Sequence, residues 1–191
     1  MEQQAFIVST SVVALAEMGD KTQLLSLILA ARYRKPMPIV LGILVATLLN
    51  HAIAGALGAW LSSLMRPEVL NWVMAAAFIA MGLWILVPDK LDEDDVAVPK
   101  QQMGVFFATV FALFLAEMGD KTQFATIALA AQYSDVLSVV LGTTLGMMMA
   151  NAPAVYLGNR FAQRLPTKII HMIAAIIFIA IGVLTAVKVW L

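Results

Sequence analysis

The nine residues Leu15–Gln23 (LAEMGDKTQ) recur letter for letter as Leu115–Gln123. Each copy sets Glu, Asp and Lys in the middle of an apolar run long enough to cross a bilayer. Charge at that depth is costly, about 3 kcal/mol per residue on insertion scales and roughly ten in some simulations. Such a cost is kept twice in one chain only where the charges face one another, face water, or hold an ion. The duplication therefore constrains the fold and the chemistry together: two charged patches must be brought to a common, lipid-shielded place.

Composition agrees with a membrane setting. Hydrophobic residues make up 62% of the 191 residues, charged residues only 13%, and mean hydropathy is +0.90. A water-soluble fold of this size could not bury that much apolar surface, since soluble domains carry about twice that charged share. The net charge is zero, with no basic run to bind nucleic acid. The chain has no Cys, which excludes disulfides and thiolate metal sites. The N-terminus lacks a basic region before its apolar stretch, so that stretch reads as a retained span rather than a signal peptide.

Six apolar segments have spanning length: Phe6–Ala30, Pro38–Leu61, Val69–Val87, Met103–Ala131, Leu137–Leu157 and Lys168–Trp190. The repeat runs through all of them at a period of about one hundred residues. Leu29–Ala31 returns as Leu129–Ala131, Val40–Gly42 as Val140–Gly142, and Phe78–Ala80 with Gly82 as Phe178–Ala180 with Gly182. Each half holds three spans. Three is odd, so the second half must enter the membrane from the opposite side. The expected fold is an all-α integral membrane protein of six transmembrane helices in two inverted-topology three-helix repeats. Residues 1–87 form the first repeat, 88–102 an acidic cytoplasmic linker, and 103–191 the second repeat, together one membrane domain.

Short-loop Lys and Arg set the orientation. Arg32, Arg34, Lys35, Lys90, Lys100, Arg160, Arg164 and Lys168 fall on one side; Arg66 and Lys188 fall on the other. The first side is expected to be cytoplasmic, which puts both termini outside the cytoplasm. The run Asp92–Asp95 in the linker either gathers cations or is simply solvated.

Glu17, Asp20 and Lys21 share one face of a continuous helix, as do Glu117, Asp120 and Lys121. Inversion brings the two sets to a similar depth, where they can build one midplane pocket. Gly19 and Gly119 interrupt the patches, either to unwind the helix and free carbonyls or to allow close packing. Four carboxylates and two ammonium groups sum to minus two, which one divalent cation or two protons would neutralise. Metal and proton then compete, and alternating access gives exchange. Oxygen donors suit hard cations such as Ca, Mn or Mg. Gln23, Gln123, Asn50 and Asn151 are further candidate ligands, with Gln23 needing a distorted backbone to reach. Thr22 and Thr122 support the set. Met18 and Met118 either add a thioether contact favouring Mn or pack in lipid. His51 either relays protons or bonds a neighbouring helix. No phosphate-binding loop is present, and no nucleophile or His-rich shell suggests an enzyme. The small-residue spacing Gly142-x-x-x-Gly146 leaves a homodimer open.

Glu-x-Gly-Asp-Lys-Thr, twice, in a six-span chain with three spans per half, resembles the calcium/manganese:proton antiporter family, whose bacterial members include manganese exporters. The match is complete at Glu17, Gly19, Asp20, Lys21 and Thr22 and at Glu117, Gly119, Asp120, Lys121 and Thr122. The resemblance implies export of Mn2+ or Ca2+ from the cytoplasm against protons across a bacterial inner membrane. It also implies that the acidic motif residues carry metal and protons, with no resident cofactor. Two alternatives stand beside it. The chain could export an amino acid or another small cation, or the charges could merely pair within each motif to lock helices together.

Overall fold

In a computed structural model of the chain, residues 2–87, 104–133, 135–158 and 166–190 are described, and they are all-helical. Eight helices run α1 Glu2–Glu17, α2 Lys21–Tyr33, α3 Pro36–Leu64, α4 Pro67–Ile85, α5 Val105–Glu117, α6 Lys121–Tyr133, α7 Val136–Leu157 and α8 Thr167–Trp190. Four of them, α3, α4, α7 and α8, are long and apolar enough to cross a membrane. Their bounds lie within three residues of those expected from hydropathy. The expected linker 88–102, with Asp92–Asp95, lies outside the described residues, as do Arg160 and Arg164.

The other two expected spans are not continuous helices. The first is divided into α1 and α2, the fourth into α5 and α6, and both divisions fall inside the repeated motif. The expectation that Glu17, Asp20 and Lys21 share a helix face is thereby overturned, and so is its counterpart in the second motif. The cause is local. Gly19 and Gly119 adopt φ of +89° and +78°, a left-handed conformation that ends a helix and that residues with a Cβ avoid. Asp20 then stands as N-cap to α2 in extended backbone (φ −80°, ψ 169°). Gly followed by Asp is a stop followed by a start.

Elsewhere the helix ends follow ordinary rules. Pro36 and Pro67 occupy the first turns of α3 and α4, where a missing N–H costs nothing. Asp135 caps α7 by accepting the Ser138 N–H at 3.2 Å.

Packing is inside-out relative to a soluble protein. Ile7, Leu44, Trp60, Phe107, Leu141, Ile176 and Leu184 face outward, while Glu17, Asp20, Gln23, Asn50, His51, Glu117, Asp120, Lys121 and Asn151 are buried. That partition suits a lipid-facing exterior and concentrates the polar groups on one another. The middle helix of each half docks on the broken helix of the other. A Cβ at Gly142 of α7 would lie 2.7 Å from the Phe6 carbonyl and 3.0 Å from Ser9 Cβ of α1. At Gly42 of α3, a Cβ would lie 3.0 Å from the Phe106 carbonyl and 2.7 Å from Thr109 Cβ of α5. The last helices pair directly. Phe78 stacks on Phe178 at 6.2 Å, Gly82 abuts Ala175 and Ile179, and Gly182 abuts Ala75 and Ile79. Because later residues of α4 meet earlier residues of α8, the pair runs antiparallel.

Candidate ion site at two helix breaks

Both breaks converge at the centre of the bundle. The C-terminal ends of α1 and α5 deliver Glu17 and Glu117, and the N-terminal ends of α2 and α6 deliver Asp20 and Asp120. All four acids are at most 4% exposed. One carboxylate oxygen from each of Glu17, Asp20 and Asp120 falls within 4.8 Å of the other two, a spacing that fits ligands around one cation. Glu117 lies in electrostatic range of Glu17, Asp120 and Lys21. Residues from both halves are thus in one cluster.

The hydrogen bonds around the cluster are incomplete in an informative way. Thr22 Oγ1 donates to Glu17 Oε2 at 2.5 Å. Thr122 Oγ1 lies 3.3 Å from both Glu117 Oε2 and Asp120 Oδ2 and can serve either. Glu17 also faces Thr122 and Asn151. Yet among the described residues nothing donates to Glu17 Oε1 or Glu117 Oε1, both buried. A buried carboxylate oxygen without a donor is costly, and a cation or a proton removes that cost. Helix ends contribute as well: the C-termini of α1 and α5 bring partial negative charge, and the aspartates stand over the partly positive N-termini of α2 and α6.

Lys21 Nζ sits 3.3 Å from Asp120 Oδ1, so this ion pair joins the two motifs. Lys121 Nζ donates to the Val87 carbonyl, just beyond α4, at 2.7 Å.

The remaining expected residues divide by role. Gln23 and Gln123 brace the breaks: each accepts its own motif's glycine N–H, at 2.9 Å from Gly19 and 2.8 Å from Gly119. Each then donates to the opposite half, Gln23 to the Ala150 carbonyl at 2.9 Å and Gln123 to Asn50 Oδ1 at 3.4 Å. The distorted backbone that Gln23 requires is present, but it turns the side chain to the glycine. Asn50 donates to the Phe114 carbonyl at 3.1 Å. Asn151 accepts from Ser26 at 3.1 Å and donates to Met147. His51 is fully buried, and neither ring nitrogen meets a partner among the described residues. Met118 is 57% exposed and Met18 half-buried. One contact had no sequence signal: His171 Nε2 of α8 lies 2.8 Å from the Met18 carbonyl.

The sequence matches the family described as divalent cation/proton antiporter GDT1 over residues 5–93 and 105–191, so both halves are covered. The chain belongs to this family. A Vibrio cholerae protein named as a candidate manganese exporter is 49% identical over 180 residues, 94% of this chain and 88% of that one. GDT1-like protein 5 of Arabidopsis thaliana is 27% identical, with 94% of each chain covered. A GDT1-like protein of Synechocystis is 28% identical, covering 95% of this chain and 96% of its own. No solved structure matches. For a divalent cation/proton antiporter, a multi-pass helical chain with its carboxylates gathered at two helix breaks is a coherent arrangement: the acids can exchange charge while the apolar exterior stays in lipid.

Proposed function

We propose that this protein exports Mn2+, with Ca2+ the second candidate, from the cytoplasm of a bacterial cell in exchange for protons. Glu17, Asp20, Glu117 and Asp120 hold the cation and the protons in turn at one site shared by both halves. The single observation that carries this reading is the buried cluster of Glu17, Asp20 and Asp120 oxygens within 4.8 Å. With Glu117 the acids outnumber Lys21 and Lys121 by two charges, which one divalent ion or two protons balances. Support for manganese comes from the Vibrio cholerae relative's name and extent of identity.

The reading includes the architecture. The chain crosses the inner membrane six times, as inverted repeats 1–87 and 103–191 joined by 88–102, with both termini outside the cytoplasm. Each broken helix pair counts as one crossing. Supporting this are the matched contacts of Gly42 and Gly142 and the antiparallel α4–α8 pair, which are what a two-fold axis in the membrane plane would produce. Rocking of one half against the other then exposes the shared site to either side. Lys21 and Lys121 set its charge and exchange carboxylate partners as it moves.

The test is the purified chain in liposomes holding an internal pH dye. Proton movement on addition of Mn2+ is expected, a weaker response with Ca2+, and little with Mg2+ or Zn2+. A pH trace that ignores every divalent cation would refute the proposal. A response to an organic cation instead would point to a different exporter.

A further inference from the structure

The two breaks are equivalent in sequence but not in surroundings. At the first, Met18 and Gly19 are half-buried under the start of α8: a Cβ at Gly19 would lie 3.0 Å from Thr167 Cβ, and His171 Nε2 meets the Met18 carbonyl at 2.8 Å. A carbonyl can only accept, so Nε2 carries the proton in this contact. At the second break nothing among the described residues stands within 4 Å of a Cβ at Gly119, and both Met118 and Gly119 are exposed. The residues of α4 equivalent to Thr167 and His171 are Pro67 and Asn71. Asn71 also carries an N–H donor, but among the described residues no bond joins it to Met118.

We propose that His171 is a gating residue: by tying the start of α8 to the Met18 carbonyl at the first break, it holds one side of the transporter closed. This deepens the exchange reading and rests on it. In the opposite-facing state the halves trade places, and Asn71 of α4 takes the Met118 carbonyl while His171 lets go. His171 is a positioning residue, since it reaches the ion site only through the backbone next to Glu17. Gating by a contact outside the motif gives the two states different locks, an imidazole on one side and an amide on the other.

The chain's lack of cysteine permits a clean test on the full-length protein. One variant carries Met18→Cys with Thr167→Cys, the other Met118→Cys with Pro67→Cys, and disulfide formation under a lipid-soluble copper oxidant is timed in membranes. Adding His171→Ala is expected to slow the first cross-link several-fold and speed the second, because the population moves to the other state. His171→Gln, which keeps an N–H donor, is expected to restore both rates toward those of the parent. Closing the first cross-link should stop Mn2+-driven proton movement, and reductant should return it. The proposal falls if His171→Ala leaves both rates alone, if both rates move in the same direction, if His171→Gln behaves like His171→Ala, or if the cross-linked protein still transports. Failure of the exchange reading is read separately, as the absence of Mn2+-driven proton movement in the unmodified chain.

Discussion

At the scale of single residues, the cluster is built from acids that the protein only half satisfies. Glu17 receives Thr22 on one oxygen and nothing on the other among the described residues, and Glu117 shares Thr122 with Asp120. Glu17→Gln and Asp120→Asn remove charge at constant volume. Each is expected to lower Mn2+-coupled proton movement by at least about 100-fold, since losing even an outer-shell partner of a metal ligand costs about 10–100-fold. Protein level in the membrane should be unchanged, and a quantitative blot beside the liposome assay checks both. Wild-type rates in either variant would remove that residue from the site. The glycines make a second, sharper comparison. Gly119→Ala forces a Cβ into left-handed backbone at about 1–2 kcal/mol, which lowers the melting temperature of the solubilised protein by roughly 2–8 °C. Gly19→Ala adds a collision with Thr167 and should cost more. Equal melting temperatures would contradict the crowding at the first break.

At the scale of elements, the broken helices depend on their glutamines. Gln23 spans from the Gly19 N–H to the Ala150 carbonyl, both at 2.9 Å, while Gln123 reaches Asn50 only at 3.4 Å. Replacing Gln23 with Leu strands the half-buried Gly19 N–H, at about 1–3 kcal/mol, whereas Gln123→Leu leaves an exposed Gly119 N–H and costs less. Gln23→Leu is expected to be the more damaging, as the stronger brace, and thermal unfolding of the two variants side by side measures the difference. How far these elements were legible beforehand depends on the signal each carries. The long spans α3, α4, α7 and α8 were, because twenty apolar residues between prolines and charged turns leave little freedom. The breaks were half legible. Gly-Asp reads as a helix stop and start, yet apolar periodicity continues through Leu15 and Leu25 and argues for one span. A continuous span is the wrong geometry for these acids: they meet because the helix ends there, and Gln23 turns inward for the same reason. Asn50 reads as a polar residue within a span, but its partner, the Phe114 carbonyl, is a backbone group that no side-chain pattern announces. His171 reads only as a residue near a helix start with no function to explain, since its partner exists only once the helix has opened at Met18.

At the scale of the whole molecule, the halves are interlocked rather than laid side by side. α7 packs on α1, α3 packs on α5, and the ion pair Lys21–Asp120 crosses between them. Residues 1–87 and 103–191 produced as separate chains in one cell are therefore expected to co-purify, and either alone should be degraded or aggregate. Affinity capture of one tagged half decides this, and recovery of a stable single half would show that the core does not need its partner. The same interlock explains why four acids can be buried in one place without either half carrying the load by itself.

The two breaks also shorten the moving parts. An acid on the flank of an unbroken span travels only when some 40 Å of helix shifts with it, whereas an acid at the tip of α2, α5 or α6 rides a rod of 13 residues, about 20 Å long. With a glycine as the pivot, a small tilt of such a rod changes the distance between opposing oxygens directly. On the proposed exchange reading, such a tilt lets the acids close on an ion or part from it within the larger rocking of the halves.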